Sequence, residues 1–499
     1  MQIMQFVMSN RRAGKFRETE KIASRAALAE ALTVLPATAH IRSESRPADD
    51  LARRSVILEG TAAEMLALDA ATPSDVIVEP LILHEREGAL SMFKHARVPL
   101  AGLMRVAPAG AAPLEFHVRG GGAPLAQATV ILFLRRLDGE VMREETLTGA
   151  DGVASFPSNP AFQPLAAIVK PYAGFWARWA QVSEQKTTVV CSKLPGNRRL
   201  DWWHHASGIS SFAPDAGAGI RVGVIDTGLG PHPHLQGTDH GAFILGIHDP
   251  DGGADADVHG THVAGTIAGR PGEELVHGGI APGVELHTAR VFPPGEGAAN
   301  IDIADAIDSL SRAGADLINL SLGAPVKSEV VQDAVQDAAE RGTLCLCAAA
   351  NSFEFVHFPA ALPETAAISA AGKLGTAPED SVSGGQLPDQ PELFGLDGFY
   401  FARFSCFGPE IDAIAPGVGI IAPVPARHGL AAPYAALDGT SMATPVACGV
   451  LARVLAEDAS YLAMPRNIFR SDLARHRLRE ICRTIGLAAI YEGHGMPRS

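Results

Sequence analysis

The feature that most constrains this chain is a set of short, near-continuous apolar runs: Ile220–Ile225, Asp316–Leu320 and Thr343–Ala349. Runs of this kind occupy the middle of a parallel sheet, where helices cover both faces. Between two of them, Ile301–Ala313 sets Ile303, Ile307 and Leu310 on one helical face and stops at Gly314. Buried strands alternating with amphipathic helices from about Asp201 onward predict a doubly wound, mostly parallel α/β domain. In such a domain chemistry gathers at the carboxyl ends of the strands.

The preceding residues follow two other patterns. Gln2–Met8, Arg54–Leu58 and Asp75–Val78 read as strands, Thr38–Arg42 as an extended piece, and Phe16–Leu32 and Thr61–Leu68 as helices. That β-α-β-β-α-β order is the split βαβ, or ferredoxin-like, motif. From about Val98 to Val190, alternating runs such as Leu114–Val118, Thr129–Leu134 and Ala166–Val169 are separated by glycine turns, which predicts a small β-sandwich. The chain therefore divides at about 1–90, 91–195 and 196–499. Phe175, Trp176 and Trp179 could form an aromatic sugar platform, although filling a sandwich edge or a domain interface is the simpler reading.

Charge narrows the function classes. The net charge is −14 and no apolar run reaches about 18 residues, which speaks against a nucleic-acid binder and a membrane span. The charge is uneven: residues 1–200 carry 24 basic and 20 acidic side chains, and 201–499 carry 17 and 35. Modules of opposite sign attract, which suits docking of the first part on the second. The six cysteines show no CxxC pair or metal spacing and read as reduced, buried residues. Met1–Met8 is apolar before the chain turns basic, the reverse of a secretory signal. The expectation is a cytoplasmic protein, with unconventional export left open.

Four segments carry the chemistry. Asp226-Thr227-Gly228 ends the first buried strand, and His259-Gly260-Thr261-His262-Val263-Ala264-Gly265 follows. Ala348-Ala349-Ala350-Asn351 comes next, and Gly439-Thr440-Ser441-Met442-Ala443-Thr444-Pro445 last. Each alone has a bland reading as a cap, a turn or a packed helix. His259 and His262 are three apart with no HExxH glutamate, so they are not a zinc pair.

In this order, Asp…His…Asn…Ser with these flanking residues resembles the subtilisin-like serine proteases, from about Asp201 to Gly495. The resemblance implies that Ser441 is the nucleophile, His259 the general base and acid, and Asp226 the group that orients the imidazole. It implies that Asn351 and the backbone N–H of Ser441 form the oxyanion hole. His262 is not a catalytic position in the family and reads as a packed residue. The nucleophile helix is expected over Met442–Leu455, with Pro445 in its first turn. Leu320-Ser321-Leu322-Gly323 matches the segment that pairs with substrate backbone, and Ala348, Ala349 and Ala350 would line the facing wall of the primary pocket. Those walls suit an uncharged side chain of medium or large size. Ala350 stands where the family has glycine, which matters if that position needs an unusual backbone angle. Glu296 would face a distant subsite or simply be solvated. Thr376–Tyr400 reads as an insertion, either a surface loop or a lid.

By the same resemblance, segment 1–90 is similar to the inhibitory propeptide that precedes many such domains, assisting folding and blocking the site until cut. A cut near Leu83–Glu87 would leave the sandwich attached to the enzyme; without a cut, the segment is a permanent regulator or simply a packed structural domain. The expected partners are a peptide or protein substrate and this segment itself. The chemistry needs no cofactor. Asp249, Asp251, Asp255 and Asp257 form an oxygen-rich loop of the kind that holds structural calcium, without EF-hand spacing. Two alternatives share the fold: an autoinhibited or partner-activated regulator, and a peptide ligase or macrocyclase.

Overall fold

The computed structural model describes residues 3–14, 18–36, 38–45, 51–86, 112–136, 138–182 and 184–499. The expected starts at Phe16 and Val98, and Glu87 of the expected cut, lie outside these residues.

The first unit contains β1 (Ile3–Asn10), α1 (Glu18–Ala31), β2 (His40–Ser45), β3 (Ser55–Thr61), α2 (Ala62–Ala71) and β4 (Val76–Pro80). Its sheet order is β2-β3-β1-β4, with the β1–β3, β1–β4 and β2–β3 pairs antiparallel. Thr61 and Glu64 form a capping box that starts α2. One face of the sheet packs Phe6, Met8, Val56 and Leu58 against Leu28 and Leu68 of its own helices. The other face presents Val7, Ile57 and Ile77, which join the core of the large α/β domain. A sheet covered on both faces explains why Phe6-Val7-Met8 and Val56-Ile57-Leu58 do not alternate with polar residues. Past Pro80, β5 (Leu83–Arg86) leaves the unit and joins another sheet.

Two antiparallel-rich sheets follow. Strands Val153–Phe156, Leu114–Gly120 and Lys186–Cys191 form one; Arg178–Gln181, Phe162–Lys170, Thr129–Arg136 and Val141–Leu147 form the other. Phe116, Val118, Val130, Leu132 and Val169 fill the space between them. Phe175 packs on this interior and Trp179 stacks on Phe133, 6.0 Å between centroids. Trp176 is 4% exposed and sits in the main core of the α/β domain, over Gly419, so it is an interface anchor and no open platform. The Thr376–Tyr400 insertion is neither a free loop nor a lid. Asp380 pairs with Arg178 at 2.9 Å, Val382 N–H donates to Ala177 O, and Val382 packs on Ile131, Phe133 and Ile168. It is the surface on which the sandwich docks.

The large domain is built on a nine-stranded sheet. In chain order its elements are β6 (Arg221–Asp226), β7 (Thr238–Ile244), β8 (Ile247–Asp249), α3 (His259–Ala268) and β9 (Glu285–Arg290). Then come β10 (Ala298–Ala299), α4 (Asn300–Arg312), β11 (Leu317–Leu320), β12 (Leu322–Gly323) and α5 (Glu329–Glu340). The domain closes with β13 (Leu344–Ala348), β14 (Ala366–Lys373), β15 (Phe399–Phe401), β16 (Ile411–Pro416) and α6 (Thr440–Glu457). The spatial order is β8-β7-β9-β6-β11-β13-β14-β15, with β16 also on β14; β8 and β15 are antiparallel and the other pairs parallel. Strand order reverses between β6 and β11, so the switch point of the sheet opens beside the end of β6. Helices α3 and α6 cover one face, α4 and α5 the other. The fold is the α/β architecture expected from the apolar runs.

Helix α6 starts at Thr440, two residues before the expected Met442, and this puts Pro445 in its second turn. A proline there cannot bond the carbonyl four residues back, which is that of Ser441. Ser321 Oγ donates to that carbonyl at 3.0 Å, so the orphaned acceptor is satisfied from β11–β12.

Candidate active site

Asp226 closes β6 at the switch point, and its Oδ1 accepts from the Thr227 N–H and from His259 Nδ1, both at 2.7 Å. His259 is the first residue of α3. Its Nε2 has no hydrogen bond among the described residues. Both groups are buried.

The approach of α3 to the strand end depends on small residues. A Cβ on Gly260 would lie 2.3 Å from Gly228 O, so only glycine permits that contact. The Gly260 N–H donates to Thr227 Oγ1 at 2.8 Å, and that hydroxyl donates to Asp255 Oδ1 at 2.7 Å. Asp255 also accepts from Asp257 N at 2.9 Å, Thr261 N at 3.0 Å and Thr261 Oγ1 at 2.5 Å. Val258, the residue before α3, provides no side-chain cap, so Asp255 supplies the negative charge that the start of this helix favours. Burial pushes its carboxyl upward. Asp255 therefore turns inward, away from the expected calcium loop. Asp249 and Asp251 stay exposed, and no group of three or more His, Cys, Asp or Glu gathers among the described residues. This buttress was legible only as one acid among four.

His262 packs inside, with Nε2 3.0 Å from Ile420 O and 3.2 Å from Ala435 O, and burial lowers it to about 3. Ser441 lies in the first turn of α6, fully buried, and its Oγ donates to Ser321 O at 3.3 Å. The nucleophile candidate and Ser321 thus exchange two hydrogen bonds. Asn351 Oδ1 accepts from Thr440 N at 2.9 Å and Thr440 Oγ1 at 3.1 Å, which fixes its amide with Nδ2 as the donor end. Ala350 adopts φ +94°, a left-handed angle that costs a side-chain-bearing residue about 1–3 kcal/mol. Glycine adopts that angle at no steric cost, in keeping with the glycine that the resemblance places there.

Leu320, Ser321, Leu322 and Gly323 are all buried, as are Ala348, Ala349 and Ala350. The cleft between β10 and β12 is occupied by β5, the central strand of a three-stranded antiparallel sheet. His84 stands opposite Ala298 and Leu83 opposite Ala299; Glu85 stands opposite Gly323 and Arg86 opposite Leu322. His84 is fully buried and burial lowers it to about 4, so it enters neutral. Glu296 is exposed in the loop before β10.

The base of this arrangement holds the N-terminal unit on α4 and α5. Glu79 Oε1 accepts from Ser328 Oγ and Asn300 Nδ2, and its Oε2 from Glu329 N, so it caps α5 from outside. Arg53 Nη1 meets Asp333 Oδ2 at 2.8 Å, and Arg12 Nε meets Asp337 Oδ2 at 3.1 Å, with every partner at most 1% exposed. Lys21 also reaches Asp337 and Arg11 reaches Glu329. Part of the charge asymmetry between the halves of the chain meets here.

A doubly wound sheet that ends β6 on an aspartate–histidine pair, with a helix-start serine bonded to Ser321 just past the neighbouring β11, has the layout of a hydrolase of the serine-peptidase class. Residues 217–478 match the model of the subtilase family, peptidase S8. The chain belongs to that family and carries a subtilisin-like serine endopeptidase domain. It is 32% identical over 246 residues to Subtilisin BL of Lederbergia lenta, covering 49% of this chain and 79% of that protein. It is 32% identical over 246 residues to the M-protease of Shouchella clausii (strain KSM-K16), where the match spans 49% of this chain and only 56% of that protein. A thermostable alkaline protease of Halalkalibacterium halodurans is 30% identical over 284 residues, with 56% and 66% covered.

Proposed function

We propose that this chain is a serine endopeptidase working through Asp226, His259 and Ser441, held in check by its own N-terminal segment. The observation that carries the reading is the 2.7 Å bond from His259 Nδ1 to Asp226 at the end of β6, beside β11, whose following residue Ser321 holds Ser441. With Nδ1 bound to a carboxylate, Nε2 is the free base of the imidazole. It takes the Ser441 proton as Oγ attacks the peptide carbonyl. Negative charge then builds on the carbonyl oxygen, where Asn351 Nδ2 and the Ser441 N–H are the donors. The C–N bond breaks, His259 returns the proton to the amine, and water repeats the sequence on the acyl-enzyme. No cofactor enters these steps. The named relatives, subtilisins and alkaline proteases, favour hydrolysis over ligation.

The segment 1–90 acts as an intramolecular inhibitor and folding aid in this reading. Its support is β5, which takes the place of a substrate strand between β10 and β12. A permanent, uncut regulator is the second reading, favoured by Val7, Ile57 and Ile77, which join the core of the α/β domain.

Wild-type and Ser441→Ala chains incubated side by side test both. Intact mass and a fluorophosphonate label are followed together. Loss of the N-terminal segment in the wild type alone, with label on Ser441, is the expected result. Wild-type-like turnover in Ser441→Ala would end the mechanism.

A further inference from the structure

The slot beside Ser441 is less apolar than its alanine walls suggest. Ala324 and Phe358 exchange backbone hydrogen bonds, each 2.9 Å, joining the end of β12 to the segment after Asn351. The His357 N–H donates to Ala349 O at 3.2 Å, and the Cys406 N–H to Ala350 O at 2.9 Å. These bonds tie residues 352–358 to both segments beside Ser441, to Leu320–Gly323 through Ala324 and to Ala348–Ala350 through Ala349. Two polar side chains stand in or beside this segment. Ser352 Oγ lies 3.5 Å from His357 Nε2 and 3.2 Å from Cys406 Sγ. Both Ser352 and His357 are half-buried, while Ala348–Asn351 and Cys406 are fully buried.

The register of β5 shows which substrate side chain meets this pair. Glu85 faces Gly323 and Arg86 faces Leu322, so a substrate strand in the same register brings its next residue to Ser321, the hydrogen-bond partner of Ser441. The side chain of that residue, the one whose carbonyl is attacked, enters the slot. An imidazole paired with a hydroxyl among alanines is a polar group from which a carboxylate can accept a hydrogen bond, and it costs desolvation to a purely apolar group. The next residue of this chain's own sequence after Arg86 is Glu87, which lies outside the described residues.

Resting on the peptidase reading above, we propose that the enzyme cleaves peptide bonds after acidic residues, glutamate foremost, with His357 and Ser352 as the residues that select the carboxylate. This replaces the expectation of an uncharged side chain in the slot.

The test uses the full chain, in the wild type and with Arg53→Met, which loosens the N-terminal segment. A denatured protein extract is the substrate, with cuts mapped by mass spectrometry. Peptide aldehydes ending in a glutamate or a phenylalanine analogue are scored by how well they protect Ser441 from a fluorophosphonate. Cuts after glutamate should exceed cuts after leucine or phenylalanine by at least about 10-fold, and the glutamate aldehyde should protect better. His357→Leu should lower kcat/KM after glutamate by about 10- to 100-fold, the worth of a hydrogen bond to a charged group, while keeping or raising cleavage after apolar residues. His357→Lys should keep the acidic preference. Labelling of Ser441 with a preference for apolar residues, or an equal loss of both activities in His357→Leu, overturns the proposal and leaves the peptidase reading standing. Absence of label and of cuts in both backgrounds overturns the peptidase reading, and the proposal falls with it.

Discussion

Arg53→Met is the perturbation that most directly probes how the N-terminal segment is held. Arg53 is buried, and its Nη1 bridges Asp333 Oδ2 at 2.8 Å and Asn10 O at 3.2 Å. Removing one partner of a buried pair leaves the other charge stranded, at a cost of about 3–5 kcal/mol. Asp333 would keep the backbone N–H groups of Arg12 and Ala13, at 2.9 to 3.1 Å, so the lower end of that range applies. About 3 kcal/mol shifts the balance between docked and released segment by roughly 100-fold. The assay is the rate of fluorophosphonate labelling at Ser441, read by intact mass, which also reports any cut. Labelling should speed up by about two orders of magnitude at equal label. Adding Asp333→Asn should recover part of the effect, because no orphan charge then remains. A rate within threefold of wild type, with the melting temperature unchanged, would refute the argument that this pair holds β5 in the cleft.

Asn351→Ala should lower kcat by about 100- to 1,000-fold, the size such a donor has in subtilisin itself, with KM nearly unchanged; a pure KM effect in steady-state kinetics would remove Asn351 from the oxyanion hole. Ala350→Gly relieves the +94° angle but loses a buried methyl worth about 0.8 kcal/mol and frees the unfolded chain, so stability by denaturant melting should change by less than about 1 kcal/mol. A loss above about 1 kcal/mol would mean the strain is not there. In the Ser441→Ala chain, stability should peak at mildly acidic pH. Burial raises Asp302 to about 7 and Asp305 to about 8, so the folded chain holds extra protons and loses stability as pH rises from about 4 through 8. Burial pushes Asp337 the same way, but Arg341, Arg12 and Lys21 outweigh it and hold its carboxyl below the usual range, so its stabilisation fades on the acid side. Asp305→Asn should flatten the alkaline limb of the melting-temperature profile; an unchanged limb would contradict the assignment.

The sequence carried the architecture because each level of pattern agreed. Buried strands with amphipathic helices between them fixed the α/β domain, and catalytic-type residues fell at strand ends and a helix start. What it did not carry depends on contacts distant in sequence. Asp255 read as a loop acid because nothing local shows that Thr227 and Thr261 turn it inward. His357 carries no local signal, because it is the Ala324–Phe358 bridge, between residues distant in sequence, that brings its segment beside Leu320–Gly323. Pro445 reads as a first-turn residue because a proline is expected there, and the Ser321 hydroxyl that makes the second turn tolerable is 120 residues from Ser441, whose carbonyl it satisfies. Ala350 was legible as a departure but its angle was not.

The two accessory units are fastened by opposite chemistry, and this bears on which of them can leave. The sandwich inserts Trp176 into the main core and seats Val382 of the insertion among its own Ile131, Phe133 and Ile168. Burying that apolar surface stabilises at about 25 cal/mol per Å², and nothing in ordinary solvent changes offsets it. The N-terminal unit also buries Val7, Ile57 and Ile77. Yet around them it places Arg12, Arg53 and Lys21 against Asp308, Asp333 and Asp337. Such pairs contribute little net stability over apolar packing, because desolvation cancels most of the attraction, but they weaken sharply once one partner is lost or neutralised. An interface of this kind specifies position and remains releasable. On the reading proposed above, the sandwich is therefore the permanent unit, and the segment carrying β5 the one that a cut, a change in pH or a competing strand can remove.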